Sequence, residues 1–243
     1  MAGMATQKIC LWSSPRNIST AMMYSFRSRP DTIVFDEPLY AHYLLKSGID
    51  HPGKNEIVAS QENDGEKVVN EIILKEYDKP VSFFKQMTHH LLDLDESFLS
   101  EVSNIIFIRD PKQIISSYAI VRPDVTMQDI GIEKQWELFN SLQKKKISPV
   151  VLDSNEILKN PEVVLKKLCV AVGIPFYSSM LHWEPGPKNE DGVWEKYWYA
   201  NVHTSTGFEK QKTSNRTLPG YLEPLYVASK KYYDQLFTHS IKA

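Results

Sequence analysis

The sequence predicts an α/β fold: a central parallel sheet of about five strands flanked by helices, with a helical and loop-rich cap at its C-terminal end. Three observations carry that expectation. Short apolar runs at residues 9–12, 32–35, 81–84, 104–108 and 149–152 read as strands. Segments of helical period lie between them, and this alternation indicates a parallel sheet covered on both faces. A charged group follows each of the first four runs, namely Arg16, Glu37, Lys85 and Arg109. Ligand crevices of open parallel sheets lie outside the carboxyl ends of the strands. Four separate segments therefore deliver charge to one rim.

The elements follow in order. The first strand enters the polar loop Ser13-Ser14-Pro15-Arg16-Asn17, and residues 18–26 then read as a helix, broken by Arg29-Pro30-Asp31. The second strand ends at Asp36-Glu37-Pro38. A helix through Leu39, Tyr43, Leu44 and Leu45 follows, then a loop from Gly48 to Gly53. Residues 66–77 carry Val68, Val69, Ile72, Ile73 and Leu74 at roughly helical spacing. The third strand ends at Lys85, and residues 86–98 read as partly helical. After the fourth strand Asp110 suits an N-cap, Pro111 a first helical position and Gln113 a capping box, so a helix to about Val121 is expected. Residues 126–146 read as one longer helix, with Trp136 and Phe139 at packing positions and Lys144 to Lys146 as its solvated end. The fifth strand ends at Asp153, and Pro161 opens a helix stopped by Gly173 and Pro175. From Leu181 the pattern changes. A loop at 182–187, a short helical segment with Trp194, Tyr197, Trp198 and Tyr199, a loop at 204–208 and a helix at 224–237 are expected. The whole reads as one domain over 1–243, with a sheet core in 1–180 and a cap in 181–243 over the functional edge.

Composition narrows the partners. The chain has 243 residues, 42% hydrophobic and 24% charged, with a net charge of −2. That is ordinary globular composition with no basic field for nucleic acid or an anionic membrane. Any anion site must be local. Two cysteines, Cys10 and Cys169, without CxxC or metal-like spacing favour a reducing compartment. The N-terminal MAGMATQK lacks an apolar signal segment, and no run of about 18 apolar residues is present. A cytoplasmic protein with no membrane partner is expected; oligomeric state is not legible.

Two motifs carry the chemistry. In the first, strand, polar loop and helix aim backbone N–H groups at an anion. Ser14 and Asn17 sit in that loop, Arg16 adds a fixed cationic fork, and Ser19 and Thr20 add hydroxyls in the first helical turn. The same pattern also describes an ordinary strand–loop–helix with a surface arginine. In the second, Arg109 leaves a buried strand and Ser117 lies about two turns into the next helix, so the pair can grip one phosphate from two sides. The bland reading is a strand-to-helix corner whose charges pair with each other.

SSPRNISTAM resembles the 5′-phosphosulfate loop of sulfotransferases that use 3′-phosphoadenosine 5′-phosphosulfate (PAPS), and FIRDPKQIISSY resembles their 3′-phosphate motif, an arginine followed eight residues later by a serine. DEPLYAHYL, KQMTHHL and DGVWEKYWYANVHTSTGF look like a soluble branch of that superfamily, found alone or beside an aminotransferase-like domain. The resemblance spans roughly residues 8–208. It implies a P-loop-type sheet, PAPS as donor, 3′-phosphoadenosine 5′-phosphate (PAP) as product and a small-molecule acceptor. It places Ser14, Arg16, Asn17, Ile18, Ser19 and Thr20 on the 5′ side of the donor and Arg109 and Ser117 on the 3′-phosphate. Thr206, Gly207 and Phe208 are the candidates for the adenosine-gripping loop. Relatives often carry Ser-Gly where this chain has Asn17-Ile18, so the loop must turn without glycine's freedom. Two alternatives stay open: a nucleotide-binding module without chemistry, and a P-loop kinase or NTPase, although no GxxxxGKS or GxxxxGKT motif is present.

Sulfuryl transfer asks for position, charge neutralisation and a base. Arg16 and Lys85 are the candidate cations at the reacting group. Glu37, His90 and His89, in that order, are the candidate bases. A histidine titrates near neutrality unaided, whereas Glu37 needs burial to raise its pKa. Trp183, Trp194, Trp198 and Tyr199 are the candidate acceptor wall, and cap packing is the alternative for them. No metal is required, and no ligand cluster is visible in the sequence.

Overall fold

The computed structural model describes residues 6–120, 124–209 and 217–243. Strands β1 (Gln7–Ser13), β2 (Thr32–Asp36), β3 (Val81–Met87), β4 (Ser103–Ile108) and β5 (Val150–Asp153) form one sheet in the order β2-β3-β1-β4-β5. Every pairing is parallel. Successive strand residues point to opposite faces, and here both faces are buried. Ile9, Leu11, Phe83, Ile105 and Phe107 pack with Met22, Met23 and Phe26 of helix α1 (Ser19–Arg27). Cys10, Trp12, Phe84, Ile106 and Ile108 pack on the other side with Ile114, Leu138, Leu142 and Leu236. That two-sided burial explains why the strands read as continuous apolar runs.

From β1 the chain leaves toward β2, and from β4 it leaves toward β5. The two connections diverge, so the crevice of the sheet opens between β1 and β4. Gln135, fully buried, ties that crevice together by donating from Nε2 to the carbonyls of Trp12 at 3.1 Å and Phe107 at 2.8 Å.

Several expectations are corrected. Strand β3 runs three residues past the apolar run, to Met87, where Leu11, Trp12 and Ser13 pair with Lys85, Gln86 and Met87. A charged residue inside a strand is tolerated there because its ammonium is neutralised, as described below. The expected helical stretch over 86–98 reduces to single turns at Thr88–His90 and Glu96–Ser100. Residues 66–77 form a short helix, Gly65–Val68, that widens into a π turn at Val69–Ile73. The single helix expected over 126–146 is broken at Gly131, whose φ of 74° is left-handed, giving Met127–Ile130 and Ile132–Lys144. A Cβ at Gly131 would stand 3.7 Å from Pro15 and Ser14, so the break seats the β1 loop. An additional helix, Ser154–Lys159, is capped by Asp153, which accepts from the N–H groups of Asn155 and Glu156. The helix after Asp110 covers Pro111–Tyr118, and Val121 lies outside the described residues.

Of the C-terminal stretch, residues near 191–199 reach the functional rim. The Glu223–Thr238 helix packs elsewhere: Tyr232 and Tyr233 donate to Glu133 and Asp153, and Ser240 bridges β5 at Val151. No helix among the described residues is long and apolar enough to cross a membrane.

Candidate functional site

The β1 loop forms an anion cradle. Helix α1 starts at Ser19 behind Ile18, which provides no side-chain cap, so the first-turn N–H groups point into the loop uncapped. Ser19 and Thr20 are buried in that turn. Arg16 takes φ 56°, one of four non-glycine residues with positive φ among those described. The strain of a turn without glycine therefore falls on Arg16. Asn17 is turned inward: its Nδ2 donates to the Phe107 carbonyl at 3.0 Å and its Oδ1 accepts from the Ile18 N–H at 2.9 Å. That anchors the loop to β4 and occupies the Ile18 amide. Ser14 Oγ and Arg16 Nε are buried with no hydrogen-bond partner among the described residues. Orphaned polar atoms beside an uncapped helix start fit an oxyanion that would satisfy them.

Across the crevice, Arg109 Nη1 donates to the Arg16 carbonyl at 2.5 Å and its Nε to Gln113 Oε1 at 2.9 Å. The Arg16 guanidinium lies 5.5 Å from the centre of the Tyr118 ring. Tyr118 ends the helix that carries Ser117. Arg16, Arg109 and the Ser117 turn are thus brought to one place, at the β1/β4 divergence. The Asp110 carboxylate caps the helix, accepting from the Lys112 N–H at 2.9 Å.

Next to the cradle is a buried ionic cluster. Lys85 Nζ donates to Asp36 Oδ1 at 2.8 Å, Glu37 Oε1 at 2.5 Å and Tyr199 OH at 2.6 Å. Tyr199 donates onward to Asp36 Oδ2 at 2.7 Å, and Trp194 Nε1 donates to the Tyr199 oxygen at 3.0 Å. Register supplies the first contact, because Asp36 pairs with Lys85 across β2 and β3. Glu37 follows with φ 44°, a left-handed residue that turns its carboxylate back onto the rim. Burial alone would push the Lys85 ammonium down, but the Asp36 and Glu37 carboxylates hold it well above its ordinary value. Burial raises Glu37, and Asp36 adds to that against the opposing pull of Lys85.

His90 is fully buried, stacked against Tyr40 and Tyr43 with ring centres 5.0 and 5.1 Å away. Its Nε2 lies 3.8 Å from Glu37 Oε2, and neither ring nitrogen has a hydrogen-bond partner among the described residues. Burial, then the neighbouring His89 and Lys85, push its pKa well below the usual value. Burial and His51 likewise take His89 down to about 4, and burial lowers His51. Both sequence-ranked histidines are therefore neutral in the folded protein near pH 7. Below pH 6.5 the unfolded chain takes up protons that these imidazoles refuse. Their contribution to stability is present above that pH and is lost as pH falls toward the folded-state values. For His90 the loss is expected to approach about 1.4 kcal/mol per pH unit. Urea-unfolding midpoints measured from pH 7.5 to 5.5 check this, and a midpoint that stays flat or rises on acidification would overturn it.

The four aromatic residues expected to form one acceptor wall are divided. Trp194 and Tyr199 are buried with Tyr40 and Tyr43, and Tyr199 is committed to the ionic cluster. Trp183 packs in a separate cluster, with α1 and the sheet, edge-on to Tyr24 and Phe208. Trp198 is 43% exposed beside His51, which borders a groove of about 350 Å³. Tyr40 links that groove to His90, bonding His51 Nδ1 at 2.9 Å. The Thr206–Phe208 stretch is also displaced from its expected place. Gly207 bridges His182, the Thr206 carbonyl accepts from Trp183, and Thr206 flanks a groove of about 680 Å³ beside Arg27 and Ser28. Those residues mark the last turn of α1, whereas the cradle lies at its first. Sequence reasoning missed Asp36, legible only as the neighbour of Glu37, and Gln135, which carried no signal.

A family model described as a sulfotransferase domain matches residues 7–230. Branched-chain-amino-acid aminotransferase-like protein 2 of Arabidopsis thaliana is 39% identical over 209 residues, 86% of this chain and 37% of its own length. Branched-chain-amino-acid aminotransferase-like protein 1 of the same plant is 38% identical over 229 residues, 94% of this chain and 41% of its own. The chain thus spans about two fifths of these relatives. Among solved structures, the sulfotransferase domain of the Synechococcus PCC 7002 olefin synthase superposes with a TM-score of 0.61 at 15% identity, covering 96% of this chain and 97% of that one. The sulfotransferase domain of the curacin biosynthetic pathway gives 0.55 at 13%, covering 96% and 98%. At such identities these two show the fold alone. The family match over nearly the whole chain settles membership: this chain belongs to the sulfotransferase-domain family.

Proposed function

We propose that the protein transfers a sulfuryl group from PAPS to a hydroxyl or amine of a small acceptor. The observation that carries this reading is the cradle: an uncapped helix start with Ser14 Oγ and Arg16 Nε unpartnered, joined through the Arg16 carbonyl to Arg109. The α1 amides, Ser14, Arg16, Ser19 and Thr20 would hold the 5′ side of the donor, and Arg109 and Ser117 its 3′-phosphate. Bound there, PAPS supplies an activated sulfuryl group on a phosphate leaving group.

The chain's own residues do the rest. Glu37 takes the proton of the acceptor as the acceptor's oxygen or nitrogen bonds to sulfur. The bond from sulfur to the 5′-phosphate oxygen breaks, and its electron pair stays on that oxygen, where Arg16 and the helix amides offset the charge. Glu37 Oε2 faces His90 Nε2 at 3.8 Å, so the two groups stand at the same point of the rim. The groove at His51 is the entry on the acceptor side.

Donor class is tested by thermal shift with PAP, ADP and ATP plus magnesium at equal concentration. A ligand at about 100 times its Kd stabilises the fold by about 2.7 kcal/mol, so PAP alone is expected to raise Tm clearly. Arg109→Ala is expected to weaken PAP about 10- to 100-fold, matching the loss of a charge-assisted hydrogen bond, and to leave ADP nearly unchanged. Equal shifts with PAP and ADP in the wild type would overturn the donor assignment. A shift with ATP alone would turn the reading to a kinase.

A further inference from the structure

In the C-terminal stretch, the fold gathers three side chains that the sequence separates. Asp191 precedes the one-turn helix Glu195–Trp198, and His203 ends the one-turn helix Ala200–His203. His203 Nε2 stands 3.1 Å from Asp191 Oδ2 and 3.4 Å from Glu195 Oε2. One donor atom from each residue lies within 4.8 Å of the other two. Metal–ligand bonds of about 2.0–2.2 Å give ligand–ligand edges of about 3.0–3.5 Å, from octahedral to tetrahedral. The two edges from His203, 3.1 and 3.4 Å, fall in that range.

A second observation concerns satisfaction. The Asp191 side chain is 1% exposed, yet among the described residues its Oδ1 has no hydrogen-bond partner, and neither has the buried Oε2 of Glu195. A buried carboxylate oxygen left unpaired is costly and calls for an explanation. Asp191 Oδ2, by contrast, is fixed from behind, accepting from Tyr24 OH at 2.7 Å and from the Lys188 N–H at 2.8 Å. Such outer hydrogen bonds orient a ligating carboxylate. We propose that Asp191, Glu195 and His203 bind a divalent first-row transition-metal ion of the zinc class. An imidazole nitrogen with two carboxylates suits that class, whereas magnesium and calcium take oxygen donors.

The ion's role is structural. The site joins two one-turn helices to the loop before them, where the Gly186 N–H donates to the His203 carbonyl. Adjacent to Asp191, the Gly192 N–H donates to Asp36 Oδ2 at 3.0 Å. The ion therefore fixes the piece of chain that delivers Trp194 and Tyr199 to the Lys85 cluster.

The test uses the full chain, untagged, stripped with a chelator and titrated with Zn²⁺, and with Co²⁺ as a visible-absorption stand-in. The expected result is one ion per chain, a raised Tm and cobalt d–d bands. His203→Gln and Glu195→Gln should each weaken zinc at least about tenfold, and Tyr24→Phe by about tenfold with the fold retained. Glu195 is 35% exposed, so its variant reports even if changes at buried neighbours disturb folding. Failure of the wild type to take up stoichiometric zinc at micromolar free metal would overturn the proposal. So would zinc affinity in His203→Gln and Glu195→Gln within twofold of wild type.

Discussion

Lys85→Met is expected to destabilise the protein by about 3–5 kcal/mol at pH 7.5, the penalty of stripping one partner from a buried ion pair. The Lys85 and Asp36 side chains are each 1% exposed and that of Glu37 is 6%. Methionine fills the space of the aliphatic stem but leaves two carboxylates without their cation. Tyr199 would remain as a donor to Asp36, which softens the loss without cancelling it. The deficit should also depend on pH, with a sign that follows from Glu37. Burial and Asp36 already raise its pKa, and Lys85 is the group that pulls it down. Without Lys85 the folded-state pKa rises further. A raised carboxyl contributes stability that is present below its unfolded value and lost as pH rises through the folded one. Relative to wild type, the variant should therefore recover part of its deficit between pH 7.5 and 5.5. Removing the ammonium also relieves His90, whose pKa Lys85 helps to lower, and this acts in the same direction. Urea titrations of both proteins at the two pH values provide the measurement. A loss under about 1 kcal/mol, typical of an exposed pair, or a deficit that grows on acidification, would mean that the cluster is not the closed ionic unit described.

Glu37→Gln is expected to lower kcat by about 10²- to 10⁴-fold, the usual range for a general base, with PAP affinity within about twofold of wild type. Glutamine keeps an oxygen for the Lys85 ammonium and removes one negative charge from a cluster of two carboxylates and one ammonium, so the fold should hold. Initial rates of PAP release with a panel of simple phenols, alcohols and amines give the readout, and PAP thermal shift gives donor binding separately. The wild-type rate should rise with pH through the raised pKa of Glu37, and this limb should vanish in the variant. A loss smaller than about tenfold would remove Glu37 from the role of base and pass it to His90. Intact PAP binding in a wild type that transfers to none of the panel would favour a nucleotide-binding module over an enzyme.

Much of this protein was legible in one dimension because the signals are local. Apolar runs of strand length, the Asp110-Pro111 helix start and the polar loop after Trp12 are each encoded within a few neighbouring residues, and the alternation of strands and helices implies the parallel sheet. The rim followed from the same logic, since a parallel sheet sends the carboxyl ends of its strands to one edge and so brings Arg16, Glu37, Lys85 and Arg109 together. Tertiary structure decided the rest. Lys85 looked like a free cation at the end of a strand. It is instead neutralised by Asp36, which register sets beside it, and by Glu37, and it donates to Tyr199, which lies 114 residues further along the chain. His90 looked like a histidine of ordinary pKa until the stacked Tyr40 and Tyr43 removed it from water. The aromatic stretch looked like one wall, but it is split between two packing clusters, with Trp183 in one and Trp194 and Tyr199 in the other. The reason is common to all three. Local pattern sets which backbone a segment adopts, whereas the charge state and solvation of a side chain depend on partners far away in sequence, which only the packed fold brings within reach.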